Sequence, residues 1–255
     1  MIGPLIGMVH LGPLPGSPGY RGSMDRLVAA AVADAHSLAA AGFDAVLIEN
    51  YGDSPFFAED VPDVTVAAIT RAATEVAAAG LPIGINVLRN DALAALSIAA
   101  AVGASFIRVN VLAGLMITDQ GPIAGRAAEV ARLRAVIHPG VQVFADIMVK
   151  HAVAPPGLDL ETAARDTWER AGADALIISG RATGTPVPLE HLDRVRDAVP
   201  EAVVFVGSGA TADTLPSVLA VADGVIVGTA VKEGGITTAP VDPERARRFA
   251  VAARG

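Results

Sequence analysis

Two short segments near the C-terminal end carry the clearest chemical signal in this sequence: VVFVGSGA at 203–210 and GVIVGTAVK at 224–232. Each is a β-branched run that breaks into glycine with a hydroxyl residue beside it. Glycine lets the backbone approach a ligand and bare its N–H groups, and Ser208 and Thr229 add hydroxyl donors. Gly207, Ser208, Gly209, Gly228 and Thr229 together read as a nest of neutral donors for a phosphate group. The GRATGTP stretch at 180–186, with Gly184, offers a second anion contact.

A second set of residues could move protons. Strand side chains alternate, and a strand covered by apolar helices must keep its polar residues on the other parity or past its end. In FIRVN, Arg108 and Asn110 share the parity of Phe106; in VQVFAD, Asp146 shares that of Phe144. Asn86 shares parity with Gly84, Glu49 with Leu47, and His10 closes LIGMVH. Glu49 and Asp146 read as acid/base candidates, their pKa values separated by Arg108 near one and burial of the other. His10 is a further catalytic candidate, and Lys150, four residues past Asp146, could supply an amine or a charge. Arg108, Asn86, Asn110 and Ser179 would orient or polarise a substrate. Structural roles compete with each of these. Glu49 and Arg108 also suit an ion pair between strands, Asp146 a loop cap, the asparagines loop satisfaction, and Lys150 a solvated charge. Lys232 could add charge to the phosphate loop or be solvated.

Other chemistries find less support. There is no cysteine, no His-x-His or HExxH, and no G-x-S-x-G around a serine. The sequence requires no cofactor. An Mg²⁺ ion held by Glu49, Asp146 and a ligand phosphate would suit oxygen donors.

These residues need a scaffold that brings them to one rim. Ala-Gly-Phe-Asp-Ala (41–45), Val-Gly-Ala-Ser-Phe (102–106), Ala-Gly-Ala-Asp-Ala (171–175) and Val-Ala-Asp-Gly-Val (221–225) each close a helical pattern and open a strand. Pro82, Pro139 and Pro200 stop the helices before PIGINV, VQVFAD and VVFVG. With 5–10 this gives eight strands, each followed by a helical stretch: 27–38, 64–79, 92–102, 124–137, 160–171, 189–199, 212–221 and 243–253. No GxGxxG follows the first strand, which disfavours a doubly wound sheet. The expected fold is one (β/α)₈ TIM barrel over 1–255, in which the loops after the seventh and eighth strands are the usual phosphate site. Long loops at 11–22, 51–63, 111–125 and 151–159 would cover the mouth.

Composition narrows the partners. At 255 residues and 52% hydrophobic the chain suits a single barrel. A net charge of −8 without a basic cluster argues against nucleic acid. No apolar run approaches a membrane span, and the N-terminus lacks a charged signal region, so a cytoplasmic protein is expected. Barrels often pair through their outer helices, so a homo-oligomer is expected too.

The chain resembles the BtpA family throughout its length. The matching blocks are GMVHLGPLPGSP (7–18), DAVLIENYGDSPF (44–56), GINVLRND (84–91), FIRVNVLAG (106–114), TDQG (118–121), DIMVKHA (146–152), SGRATG (179–184), GSGAT (207–211) and DGVIVGTAVKEGG (223–235). One departure is HAVAPPGLDL (151–160), where a compact Ala-x-Pro-Leu segment is expected. The resemblance implies a TIM barrel related to phosphate-binding barrels. It also implies either photosystem I biogenesis, with which the founding members are associated, or sugar metabolism, but no particular reaction. From the residues, the expected function is acid/base isomerase- or lyase/aldolase-type chemistry on a sugar phosphate or phosphoribosyl compound. The alternative is a non-enzymatic biogenesis factor that retains a ligand-sensing barrel.

Overall fold

A computed structural model describes residues 2–180 and 184–255. The first strands are β1 (Leu5–His10), β2 (Ala45–Glu49), β3 (Ile83–Asn86) and β4 (Phe106–Val109). A hairpin of β5 (Leu115–Thr118) and β6 (Gly121–Ala124) follows, then β7 (Gln142–Ile147) and the two-residue β8 (Ala152–Val153). The chain ends with β9 (Ala175–Ile178), β10 (Val204–Val206) and β11 (Gly224–Val227). Eight of these close a parallel barrel in the order β1–β2–β3–β4–β7–β9–β10–β11, as expected. Register sets His10 beside Glu49, and Glu49 beside Asn86.

The helices are α1 (Met24–Ala41), α2 (Asp63–Ala77), α3 (Ala92–Val102), α4 (Ala127–Ile137), α5 (Leu160–Arg165), α6 (Leu189–Ala198), α7 (Leu215–Leu219) and α8 (Pro243–Arg254). Ser23 and Asp91 cap α1 and α3 through their side chains, and Gly42 ends α1 at φ 92°, a conformation costly to any residue with a Cβ. Three helices are shorter than the sequence pattern predicts. The 124–137 stretch becomes helical only at Ala127, because Gly121–Ala124 pairs as a strand. The 212–221 stretch keeps only Leu215–Leu219, and 160–171 passes into one π-helical turn at Asp166–Arg170. No helix among the described residues is long and apolar enough to cross a membrane.

Parity divides the core in two. Ile48, Ile85, Ile107, Val109 and their equivalents face the helices, whereas Met8, Leu47, Phe106, Phe144, Ile177, Phe205 and Ile226 fill the barrel. The three phenylalanines pack in a row, with ring centroids 4.9 and 5.1 Å apart. They need small neighbours: a Cβ on Gly84 would lie 2.2 Å from the Phe106 ring, and one on Gly224 would lie 2.4 Å from Phe205. Alternating large and small side chains fill the barrel interior up to the polar rim.

Two expectations are corrected here. The 111–125 segment is not an open loop: β5 pairs antiparallel with β6 and with β8, forming a small sheet beside the barrel mouth. Nor does Lys232 serve the loop after β11. Its Nζ donates to Asp34 Oδ2 of α1 at 2.5 Å, with the lysine side chain 1% exposed, and Asp34 Oδ1 accepts from Val241 N–H. The pair holds the segment after β11 against α1. Removing one partner of a buried ion pair strands the other charge, so Lys232→Met should cost about 3–5 kcal/mol of stability. Urea unfolding of the two proteins checks this.

Candidate active site at the carboxyl rim

The residues that parity assigned to one rim do converge there. Arg108 and Asp146, on neighbouring strands β4 and β7, form a two-pronged pair: Nε and Nη2 donate to Oδ2 and Oδ1, each at 2.9 Å. Both side chains are almost wholly buried, at 2% and 0% exposure. Asn110 donates to Asp146 Oδ2 at 3.1 Å, and Ser179 Oγ to Oδ1 at 3.4 Å. Asn86 donates to the Arg108 carbonyl and to Asn110 Oδ1. Arg108 therefore pairs with Asp146 rather than with Glu49. Asp146, an acid/base candidate by sequence, has both carboxylate oxygens engaged.

Glu49 and His10 lie in a different setting. The Glu49 carboxyl is buried and makes no hydrogen bond with the described residues; His10 Nε2 lies 3.8 Å from Oε1. Burial raises the Glu49 pKa against the pull of Arg108 and Lys150. Burial, reinforced by the charge of Lys232, lowers the His10 pKa to about 3, so the ring is neutral. Its Nδ1 lies 3.1 Å from the Thr237 carbonyl, which can only accept. The proton therefore sits on Nδ1, and the Nε2 lone pair faces Glu49. Tyr51 stacks at 4.8 Å from the imidazole and keeps it in place.

Two cavities meet at this point. One, of about 230 Å³, lies against the loops after β10 and β11; the other, of about 190 Å³, runs under the loops after β2 and β3. Glu49, Tyr51, Arg108 and Lys150 line both. Lys150 is thus a cleft residue and not a solvated loop charge. It forms no ion pair among the described residues, and burial, followed by the Arg108 charge, lowers its pKa. The first cavity is bordered by Gly184, Gly207, Ser208, Gly209, Gly228 and Thr229. Ser208 Oγ is buried without a hydrogen-bond partner, and the N–H groups of Ser208, Gly209 and Ala210 bond to no described residue. Thr229 Oγ1 is engaged with Thr237 Oγ1 at 2.9 Å. The remainder of the GRATGTP loop, 181–183, falls outside the described residues.

The glycine-rich loop at 11–22 is stapled to the loop after β2. Asp53 Oδ1 accepts from Leu14 N–H and Oδ2 from Asn50 Nδ2, while Leu14 is fully buried. Arg89 is a site residue that strand parity did not find. It lies past the end of β3, is buried at 6% exposure, and lines the second cavity. A cation has no obvious seat here, because Arg108, Asn110 and Ser179 already occupy the oxygens of Asp146. Among the described residues no three His, Asp or Glu side chains cluster as metal ligands would.

The closed (β/α)₈ barrel brings these cavities and side chains to its carboxyl rim, the end at which barrel enzymes place their active sites. Phosphoribosyl anthranilate isomerase from Thermus thermophilus shares the fold: TM-score 0.58 and 13% identity, over 98% of each chain. The chain belongs to the BtpA family, which it matches over residues 1–255. It is 49% identical to an uncharacterized protein of Thermococcus kodakarensis over 96% of this chain and 93% of that one. It is also 44% identical to the photosystem I biogenesis protein BtpA of Synechocystis, over 96% and 86%.

The raised pKa of Glu49 has a thermodynamic consequence. A group that holds its proton more tightly when folded stabilises the fold below its unfolded pKa and loses that contribution as pH rises through the folded value. Glu49→Gln removes the ionisable group. Its melting temperature should therefore gain on the wild type as pH rises from 4.5, in scanning calorimetry at successive pH values.

Proposed function

We propose that the protein is an enzyme that binds a small phosphorylated metabolite and moves a proton at a carbon beside its carbonyl, in isomerase- or lyase-type chemistry. The observation that carries this reading is the unpartnered, buried Ser208 hydroxyl beside three backbone amides that bond to no described residue, at a cavity shared with Glu49 and Lys150. Buried polar groups are normally paired, so donors left free in a cavity are complementary to an absent acceptor. In this reading Ser208, Gly209 and the Gly228–Thr229 turn hold the phosphate, with Gly207 and Gly184 giving it room.

Glu49 is the proton-transfer group, and the neutral His10 ring lies beside it with Nε2 3.8 Å from Oε1. Lys150 and Arg108 face the same space and would stabilise an enolate-like oxyanion. The lowered pKa of Lys150 also suits a Schiff base with a carbonyl substrate, a lyase variant of the same site. Asp146 becomes the anchor that fixes Arg108, and Asn86, Asn110 and Ser179 hold that anchor. No step in this chemistry calls for a metal or an organic cofactor. The name of the Synechocystis relative favours a second reading, a biogenesis factor in which the same cavity senses a metabolite.

A thermal-shift screen against sugar phosphates and phosphoribosyl compounds tests the first reading. A ligand at about 100 times its Kd adds about 2.7 kcal/mol, a visible rise in melting temperature. Ser208→Asp should abolish the rise by placing a like charge on the phosphate. With a substrate so identified, Glu49→Gln should cut turnover by at least about 10²-fold while binding persists. Full turnover by Glu49→Gln would refute the role given to Glu49. Binding without any turnover in the wild type would favour the sensor.

A further inference from the structure

Arg89 presents a physical problem that the phosphate loops do not solve. Its guanidinium is buried, yet no carboxylate lies within 4 Å of it among the described residues. Among the described residues its one hydrogen bond runs from Nη2 to the Lys150 carbonyl at 2.6 Å. A guanidinium carries five N–H donors, so most of them are unspent on described residues where Arg89 lines the second cavity. Buried cations are ordinarily paired, because desolvation without a partner costs several kcal/mol per ion. Burial correspondingly lowers the pKa of Arg89, with Asp146 and Glu49 opposing from a distance.

The backbone around Arg89 is fixed on both sides. Leu88 N–H donates to Asn50 Oδ1 at 2.8 Å, and Arg89 N–H to the Phe57 carbonyl at 3.0 Å. Asn90 exchanges two hydrogen bonds with the Val111 backbone, at 2.7 and 3.0 Å. Asp91 caps α3 and also accepts from Val61 N–H. Four consecutive residues are thus anchored to the loops after β2 and β4, and the arginine between them is held in place before any ligand arrives. Lys150 adds positive potential nearby, whereas Arg108 is paired with Asp146.

We infer that the second cavity is an oxyanion subsite with Arg89 as its anchor, so that the substrate carries a second anionic group at the end opposite its phosphate. The guanidinium fork accepts a carboxylate or a phosphate in the same two-pronged way. This inference rests on the phosphate reading for the first cavity, and deepens it: the substrate class becomes phosphorylated acids or bisphosphates rather than neutral-ended sugar phosphates.

Matched ligands test it by isothermal titration. Glycerol 3-phosphate and sorbitol 6-phosphate have one anionic end. 3-Phosphoglycerate and 6-phosphogluconate add a carboxylate at the other end, and sorbitol 1,6-bisphosphate adds a phosphate; two chain lengths allow for the span between the cavities. At one length, a two-ended ligand should bind the wild type at least about tenfold more tightly than its one-ended partner. Whichever of the carboxylate and phosphate arms shows the gain identifies the oxyanion. Arg89→Met should collapse that ratio to about one, and Arg89→Lys, which keeps the charge and loses the fork, should recover only part of it. If all ligands bind the wild type equally and Ser208→Asp weakens them all, the second subsite is refuted and the phosphate site stands. If none binds in a Ser208-dependent way, both fall.

Discussion

The Arg108–Asp146 pair is the constraint on which the rest of the rim depends. Two opposite charges can occupy the mouth of an apolar barrel only together and only with their remaining valences filled. Arg108 satisfies both Asp146 oxygens, Asn110 and Ser179 add to them, and Asn86 steadies Asn110 and the Arg108 backbone. One network thereby ties β3, β4, β7 and the end of β9. Half of the rim is consumed in fixing geometry. The other half carries Glu49, His10, Lys150 and Arg89, whose charges and lone pairs are only partly paired among the described residues.

The glycines of the loops after β10 and β11 answer the same demand for space. A Cβ on Gly207 would lie 2.6 Å from Ser179 Oγ and 3.5 Å from Arg108 Nη2, and one on Gly228 would lie 2.9 Å from His10 Cε1. Glycine at these positions admits the neighbouring polar side chains. The barrel interior repeats the device one layer down, where Gly84 and Gly224 accommodate Phe106 and Phe205. Any residue larger than glycine at 207 or 228 would press on Ile177 and Ser179 or on His10.

Strand parity made much of this legible. Alternation is a local property, so FIRVN, VQVFAD and AVLIEN reveal which side chains point inward, and the rule that polar groups avoid the helix layer selects the same face in every strand. Pairing is not local: the sequence suggests Glu49 as an ion-pair partner for Arg108, whereas the partner is Asp146. Their difference comes from register, which sets β4 directly beside β7. Arg89 and Lys232 escaped for a related reason. Both lie beyond strand ends, where no periodicity says which way a side chain turns. Their environments are set by contacts about 60 and 200 residues away in sequence, to Lys150 and Asp34. The hairpin at 115–124 was hidden because its register is set by antiparallel pairing around the TDQG turn, and its strands leave Leu115 and Ile117 partly exposed instead of alternating cleanly.

The overall charge and the charge of the cleft have opposite signs, and the combination is selective. The chain carries a net −8, yet its second cavity gathers Arg89, Lys150 and Arg108, of which Arg108 pairs with Asp146, beside the Glu49 carboxyl, whose protonated form is favoured by burial. Potentials inside a low-dielectric cleft are set by the nearest groups, whereas charges on the outer surface are screened within about 8 Å at physiological ionic strength. A small anion can therefore enter and be held, while an extended polyanion meets the acidic exterior over most of its length. With a fixed Arg108 network on one side and unanswered donors on both flanks, the cleft is suited to a compact ligand whose negative charge is divided between its two ends.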